Sequence, residues 1–134
     1  MKTLQEHILS SKRSGNIEFI IEERNENTVV SRMPVNPGIL NPFGVVQAGA
    51  LIGLADVTAS VLALQGQNVG EDAKGFPLAI DLHTTLLSNQ RKGEIRAEAK
   101  YIHKGQSVIV IRTRITGNED RLLAEVTSTH ITAK

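Results

Sequence analysis

Apolar positions set the order of elements along this chain. Leu4, Ile8 and Leu9 stand at helical spacing in the first segment, which Ser14-Gly15 ends. Residues 17–24 (IEFIIEER) and 27–35 (NTVVSRMPV) read as two strands joined by a polar turn around Asn25 to Asn27. Pro34, Pro37, Gly38 and Pro42 make the next stretch an irregular loop. That loop leads into a long helix, expected from Val46 or Gln47 to about Leu64. Its apolar residues recur all round, with Asp56, Thr58 and Ser60 as the polar exceptions, so it is expected to be buried rather than surface-lying.

Residues 66–75 (GQNVGEDAKG) read as a loop from their glycines and charges. Alternation of period two follows. Leu78, Ile80 and Leu82 are expected to form one face of the first strand, and Ile95, Ala97, Ala99 and Tyr101 oppose Arg96, Glu98 and Lys100 in the next. Ser107 to Thr116 and Leu122 to Thr132 complete the set, with hairpin turns at Lys104-Gly105 and at Gly117 to Asp120. One helix too apolar for solvent, beside a long antiparallel meander, predicts an α+β fold in which a curved sheet wraps the helix.

At 134 residues the chain is the size of one domain, expected to span residues 1–134 with a core of its own. The net charge of +1, with signs interspersed, offers no basic face for nucleic acid. Aromatic residues make up 3%, too few for base-stacking platforms. The absence of cysteine excludes thiol catalysis, thiolate metal sites and disulfides, and fits a cytoplasmic protein. The N-terminal segment lacks the apolar core of a secretory signal, and the longest apolar run is interrupted by Asp56 and short for a membrane span, so a soluble protein is expected. His7, His83, His103 and His130 show no ligand spacing, and no metal or other cofactor is expected. Neither a GxxxxGK[ST] phosphate loop nor a GxSxG elbow is present.

What remains is a lone carboxylate. Asp56 on an apolar helix costs several kcal/mol unless it is paired, hydrogen-bonded or protonated. A strand arginine or a backbone group could satisfy it, or it could do chemistry. Three neighbours bear on the choice. A Pro/Gly-rich loop runs into the helix start, where free N–H groups and the positive dipole end suit a developing oxyanion. Ser60, one turn beyond Asp56, could hold a water or orient the carboxylate, or could bond its own i−4 carbonyl. Asn41 could hydrogen-bond a substrate carbonyl or a water, or could serve the turn before Pro42.

Asn41, Ala48-Gly49 and Asp56 lie at the spacing of a loop Asn, a Gly-Gly helix start and a helical acid. In this the chain resembles the hotdog-fold acyl-CoA thioesterases, in particular the phenylacetate-pathway group, and the likeness in strand order covers nearly the whole sequence. The resemblance implies a hotdog fold and hydrolysis of an acyl-CoA thioester. It implies Ser60 as the residue that positions water, and a homodimer, assembled as a dimer of dimers, with two sites per dimer. Gln47-Ala48-Gly49 replaces the usual His-Gly-Gly. Ala48 keeps the backbone donor, and its methyl narrows the space beside the thioester; Gln47 can donate a hydrogen bond but cannot titrate. A serine that some relatives place after the helix is Ala79 here.

Ala48 and Asp56 are eight residues apart, about 12 Å along a helix axis. If both act on one carbonyl, the second must come from an antiparallel helix of another chain. The expected mechanism has Asn41 and the Ala48 N–H polarising the thioester carbonyl, with Gln47 and Gly49 beside it. Asp56 of the partner then acts as general base on water or as nucleophile through a mixed anhydride. Arg91, Lys92 and Lys104, in strand-end turns, are candidate partners for CoA phosphates, or solvated turn charges. Two alternatives stand beside the hydrolase: an acyl-CoA binding module without chemistry, and a hotdog dehydratase or hydratase. The latter class uses a histidine that the loop and helix start lack.

Overall fold

The computed structural model describes residues 15–65 and 75–132, with Thr3 and Glu6. The helix expected around Leu4, Ile8 and Leu9, and loop residues 66–74, lie outside the described residues. Two strands, β1 (Ile20–Arg24) and β2 (Thr28–Pro34), precede the helix α1 (Ala48–Leu64). β3 (Pro77–Leu86), β4 (Glu94–Lys104), β5 (Val108–Thr116) and β6 (Leu122–Thr132) follow it. They form one antiparallel sheet in the order β1-β2-β4-β5-β6-β3. The β2–α1–β3 connection therefore carries the chain from one side of the sheet to its far edge, and the hairpins β4–β5–β6 fill the gap. The curved sheet wraps α1, which packs against β2 to β6.

Side-chain size makes that wrap possible. Ala97 and Ala99 of β4 and Ala50, Ala55, Ala59 and Ala63 of α1 are all buried, so helix and sheet approach closely along the centre. Met33, Leu51, Leu54, Ile95, Ile115 and Leu123 fill one half of the interface, and Val29, Leu62, Ile109 and Ile111 the other. The alternation predicted for β4 holds: Ile95, Ala97 and Ala99 face the helix while Arg96 and Lys100 face solvent. On that outer face Arg32 pairs with Glu94 at 2.6 Å and Arg96 with Glu22 at 3.4 Å, half-exposed contacts of small energetic weight.

Two expectations are corrected. α1 is not buried all round. Ala50, Leu51, Leu54, Ala55, Thr58, Ala59, Leu62 and Ala63 are buried, whereas Ile52, Gly53, Asp56, Val57, Ser60, Val61 and Leu64 are only partly covered. The apolar residues on that second face stay partly open to solvent in one chain. Nor do Leu78, Ile80 and Leu82 share one face. A bulge between Ala79 and Asp81 shifts the register, so that Leu78 pairs with Ile131 but Leu82 with Ser128, positions of opposite parity on β6. Leu78, Ile80, Leu82 and Leu86 are all exposed on this edge strand.

Candidate active site

The loop before α1 is built by its own side chains. Asn41 Oδ1 accepts from the N–H of Phe43 (2.9 Å) and of Val45 (3.2 Å), and the Asn41 carbonyl accepts from Gly44 (3.0 Å). Pro42 follows the Asn, and Gly44 sits at φ +83, a left-handed conformation that favours glycine. Asn41 thus performs the turn chemistry expected of Asn-Pro. The turn is tied outward by Arg91, which donates to the Phe43 carbonyl at 2.9 Å, and by Asn89, which donates to the Val46 carbonyl at 3.0 Å.

Gln47 is the N-cap of α1 in extended conformation, and its side chain gives no cap bond, donating instead to the Leu40 carbonyl at 3.2 Å. The Gln47 carbonyl takes the N–H groups of Ala50 and Leu51. The N–H groups of Ala48 and Gly49 are left without a partner among the described residues, on an exposed helix start with open space beside Gly49. Two backbone donors at the positive end of a helix suit an anionic oxygen.

Asp56 and Ser60 lie together on the partly covered face of α1. With Val57, Val61 and Leu64 they wall a cavity of ≈ 410 Å³, closed on its other side by residues 76–79 at the entry to β3. The cavity is mostly apolar, so Asp56 is its charged group. Ala79 adds no polar group to that wall. Thr58 is not part of it: its hydroxyl donates to the Leu54 carbonyl at 2.7 Å and bonds buried Ser31. Because α1 runs unbroken from Ala48 to Leu64, the helix-start donors stay about 12 Å along the axis from Asp56, and one chain does not bring them together.

The three candidate cations are likewise divided. Arg91 and Lys92 line a second cavity of ≈ 340 Å³ beside the Asn41 loop. Lys104 lies at the other end of β4, about 33 Å away at 3.3 Å per residue, with its ammonium 5.0 Å from the Tyr101 ring centre. Reading the sequence overlooked Arg121, which lines the Arg91–Lys92 cavity from the turn before β6.

It also overlooked His130. This side chain is fully buried, with Nε2 2.8 Å from Ser128 Oγ, and its strand neighbour on β3 is Ala79 of the Asp56 cavity. Burial pushes the imidazole below its ordinary pKa, and the negative charge of Asp56 partly restores it. The signal was available in the alternation of β6, where Val126, Ser128 and His130 fall on the face turned to the helix.

No protein-family model matches the chain. Among curated proteins it is 28% identical to ComA2 of Bacillus subtilis, provisionally named an esterase, over 77% of this chain and 79% of that one. It is 30% identical to a Vibrio cholerae protein, also provisionally named an esterase, over 80% of this chain and 69% of that one. It is 27% identical to the 1,4-dihydroxy-2-naphthoyl-CoA hydrolase of Listeria monocytogenes, over 80% and 82%. Among solved structures, a Haemophilus influenzae thioesterase superposes with a TM-score of 0.80 at 22% identity, covering 100% of this chain and 92% of that one. A hypothetical thioesterase from Streptococcus pneumoniae, solved with coenzyme A, superposes with a TM-score of 0.77 at 19% identity, over 87% and 86%. No helix among the described residues is long and apolar enough to cross a membrane. The sheet order, the single wrapped helix and these relatives agree: the chain belongs to the hotdog-fold thioesterase family.

Proposed function

We propose that this protein hydrolyses acyl-CoA thioesters to a free acid and CoA, at sites shared between the two chains of a homodimer. The observation that carries the proposal is the division of labour along α1. Unpartnered donors lie at its start, and a carboxylate opening on an apolar cavity lies about 12 Å further on. The exposed apolar edge of β3 and the partly covered face of α1 supply a surface for a second chain. An antiparallel partner helix would bring its Asp56 to the carbonyl held at Ala48.

In this reading the Ala48 N–H, flanked by Gln47 and Gly49, and Asn41 polarise the thioester carbonyl, so charge developing on oxygen meets fixed donors. Asp56 of the partner attacks directly, or takes a proton from water that attacks, and Ser60 positions it. The apolar cavity accommodates the acyl chain. Arg91 and Lys92, joined by Arg121, receive phosphates of CoA; Lys104 is too distant to share that cavity. A dimer of dimers would complete the assembly. The relatives named as a CoA hydrolase and as a coenzyme A complex support this substrate class.

The test is a thiol-release assay across short, long and aryl acyl-CoAs. CoA released from at least one of them is the expected result. Saturable binding of acyl-CoA with no thiol released from any would assign the protein to the alternative, a binding module, which the replacement of a titratable histidine by Gln47 and of a serine by Ala79 would then explain.

A further inference from the structure

We propose that His130 is a positioning residue for Asp56: its buried Nδ1 carries the ring proton and directs it, through one water, at the Asp56 carboxylate from beneath the cavity wall. The inference rests on the reading of Asp56 as base or nucleophile.

The geometry comes first. His130 projects from β6 to the helix side of the sheet and is 0% exposed. On β3 its cross-strand partner is Ala79, which shares one cavity with Asp56 and Ser60. Nε2 is engaged by Ser128 Oγ at 2.8 Å, while Nδ1 has no hydrogen-bond partner among the described residues. An orphaned polar atom at such depth is costly, so its retention here asks for a reason.

Tautomer chemistry supplies the direction. Burial favours the neutral ring, which holds one proton. Were that proton on Nε2, donated to Ser128, the Nδ1 lone pair would stand buried in the field of a carboxylate. With the proton on Nδ1, the Ser128 hydroxyl donates to Nε2, and the ring turns an N–H toward the negative charge. The second arrangement satisfies Ser128 equally well and replaces repulsion by attraction. A hydrogen bond given to a carboxylate favours its charged form and fixes its orientation, both of which a base or nucleophile needs.

Other ionisable groups among the described residues do not compete. Asp56 is the charged residue of α1. From β3, Asp81 and His83 are exposed and pair with Thr129 and Thr127, positions of opposite parity to His130. From β5 the flanking partner is Ile109, and Arg112 and Arg114 point to solvent. Tyr101 of β4 spends its hydroxyl proton on the Leu62 carbonyl at 2.7 Å.

The test joins spectroscopy to kinetics on the full chain. Nitrogen-15 spectra of the histidine rings should show His130 of the wild type protonated at Nδ1, and Asp56→Asn should shift that resonance. Neither measurement depends on altering His130. An Nε2–H tautomer, or a His130 resonance unmoved by Asp56→Asn, overturns the proposal. In thiol-release kinetics His130→Leu should lower kcat about tenfold with KM little changed. His130→Asn, whose amide N–H replaces the Nδ1 donor, should recover most of the kcat. If Asp56→Asn is inactive while His130→Leu matches wild type in kcat, the role of His130 falls and that of Asp56 stands. Full turnover by Asp56→Asn defeats both.

Discussion

Asp56 is tolerated because α1 presents it to a cavity instead of burying it against the sheet. The eight residues that meet the sheet are apolar except Thr58, whose hydroxyl is satisfied by Leu54 and Ser31. Asp56→Asn should therefore keep its melting temperature within a few degrees while thioester hydrolysis falls about a hundredfold or more, measured by thiol release beside a thermal melt. Retained turnover would make Asp56 structural. His130 yields a second prediction. Its folded pKa lies below the unfolded value of 6.5, so between the two values the unfolded chain binds a proton that the folded protein refuses. Stability from this group is fully present above pH 6.5 and is lost as pH falls through that value toward the folded one. Melts between pH 7.5 and 5.5 should show wild type losing more stability than His130→Leu. Asp56→Asn, lacking the charge that partly restores the ring, should lose more than wild type. An equal pH slope in wild type and His130→Leu would refute the assignment.

At the scale of elements, the helix start depends on the loop that delivers it. Asn41 Oδ1 holds two backbone N–H groups of that loop, so turn and substrate roles are entangled in an alanine variant. Asn41→Asp separates them: its carboxylate keeps both accepted bonds and lacks the amide N–H. The proposed contact with the thioester predicts turnover reduced about tenfold or more with an unchanged melt. Unchanged turnover in Asn41→Asp, with Asn41→Ala losing stability alone, would assign Asn41 to the turn. β3 makes the complementary point. Its bulge at Ile80 turns Ala79 and Leu82 to the same side as His130 and Ser128, and leaves apolar side chains exposed along the sheet edge.

For the whole molecule, the separation between Ala48 and Asp56 makes a prediction that one chain cannot meet. Asp56→Asn and Ala48→Pro homodimers should each be inactive, since every shared site would lack one partner. Proline suits Ala48: the residue is first in the helix, its N–H holds no bond among the described residues, and Gln47 before it has the extended conformation that proline requires. After subunit exchange, each heterodimer holds one site with both defects and one with neither. Activity should return, up to about half that of a wild-type dimer. Exchange confirmed by mass spectrometry with activity still absent would place the site within one chain or remove Ala48 as donor.

Much of this was legible in the residues themselves. Period-two alternation located β4, β5 and β6, because a half-buried sheet needs one apolar face. Asn41, Ala48-Gly49 and Asp56 lie close in the chain, so their spacing carried the family resemblance that names the candidate site, and helix geometry gave its 12 Å problem. Tertiary structure decided what depends on distant partners. One-sided burial of α1 depends on how far the sheet reaches around it, which no local pattern encodes. The break in β3 is a matter of register with β6, across more than forty residues of chain. Arg121 joins Arg91 and Lys92 through folding of the β5–β6 turn against the β3–β4 loop. His130 meets the field of Asp56 because the last strand is laid beside the first strand after the helix. Periodicity is local and reads out of a sequence; strand order and register bring remote residues together, and only the folded chain displays them.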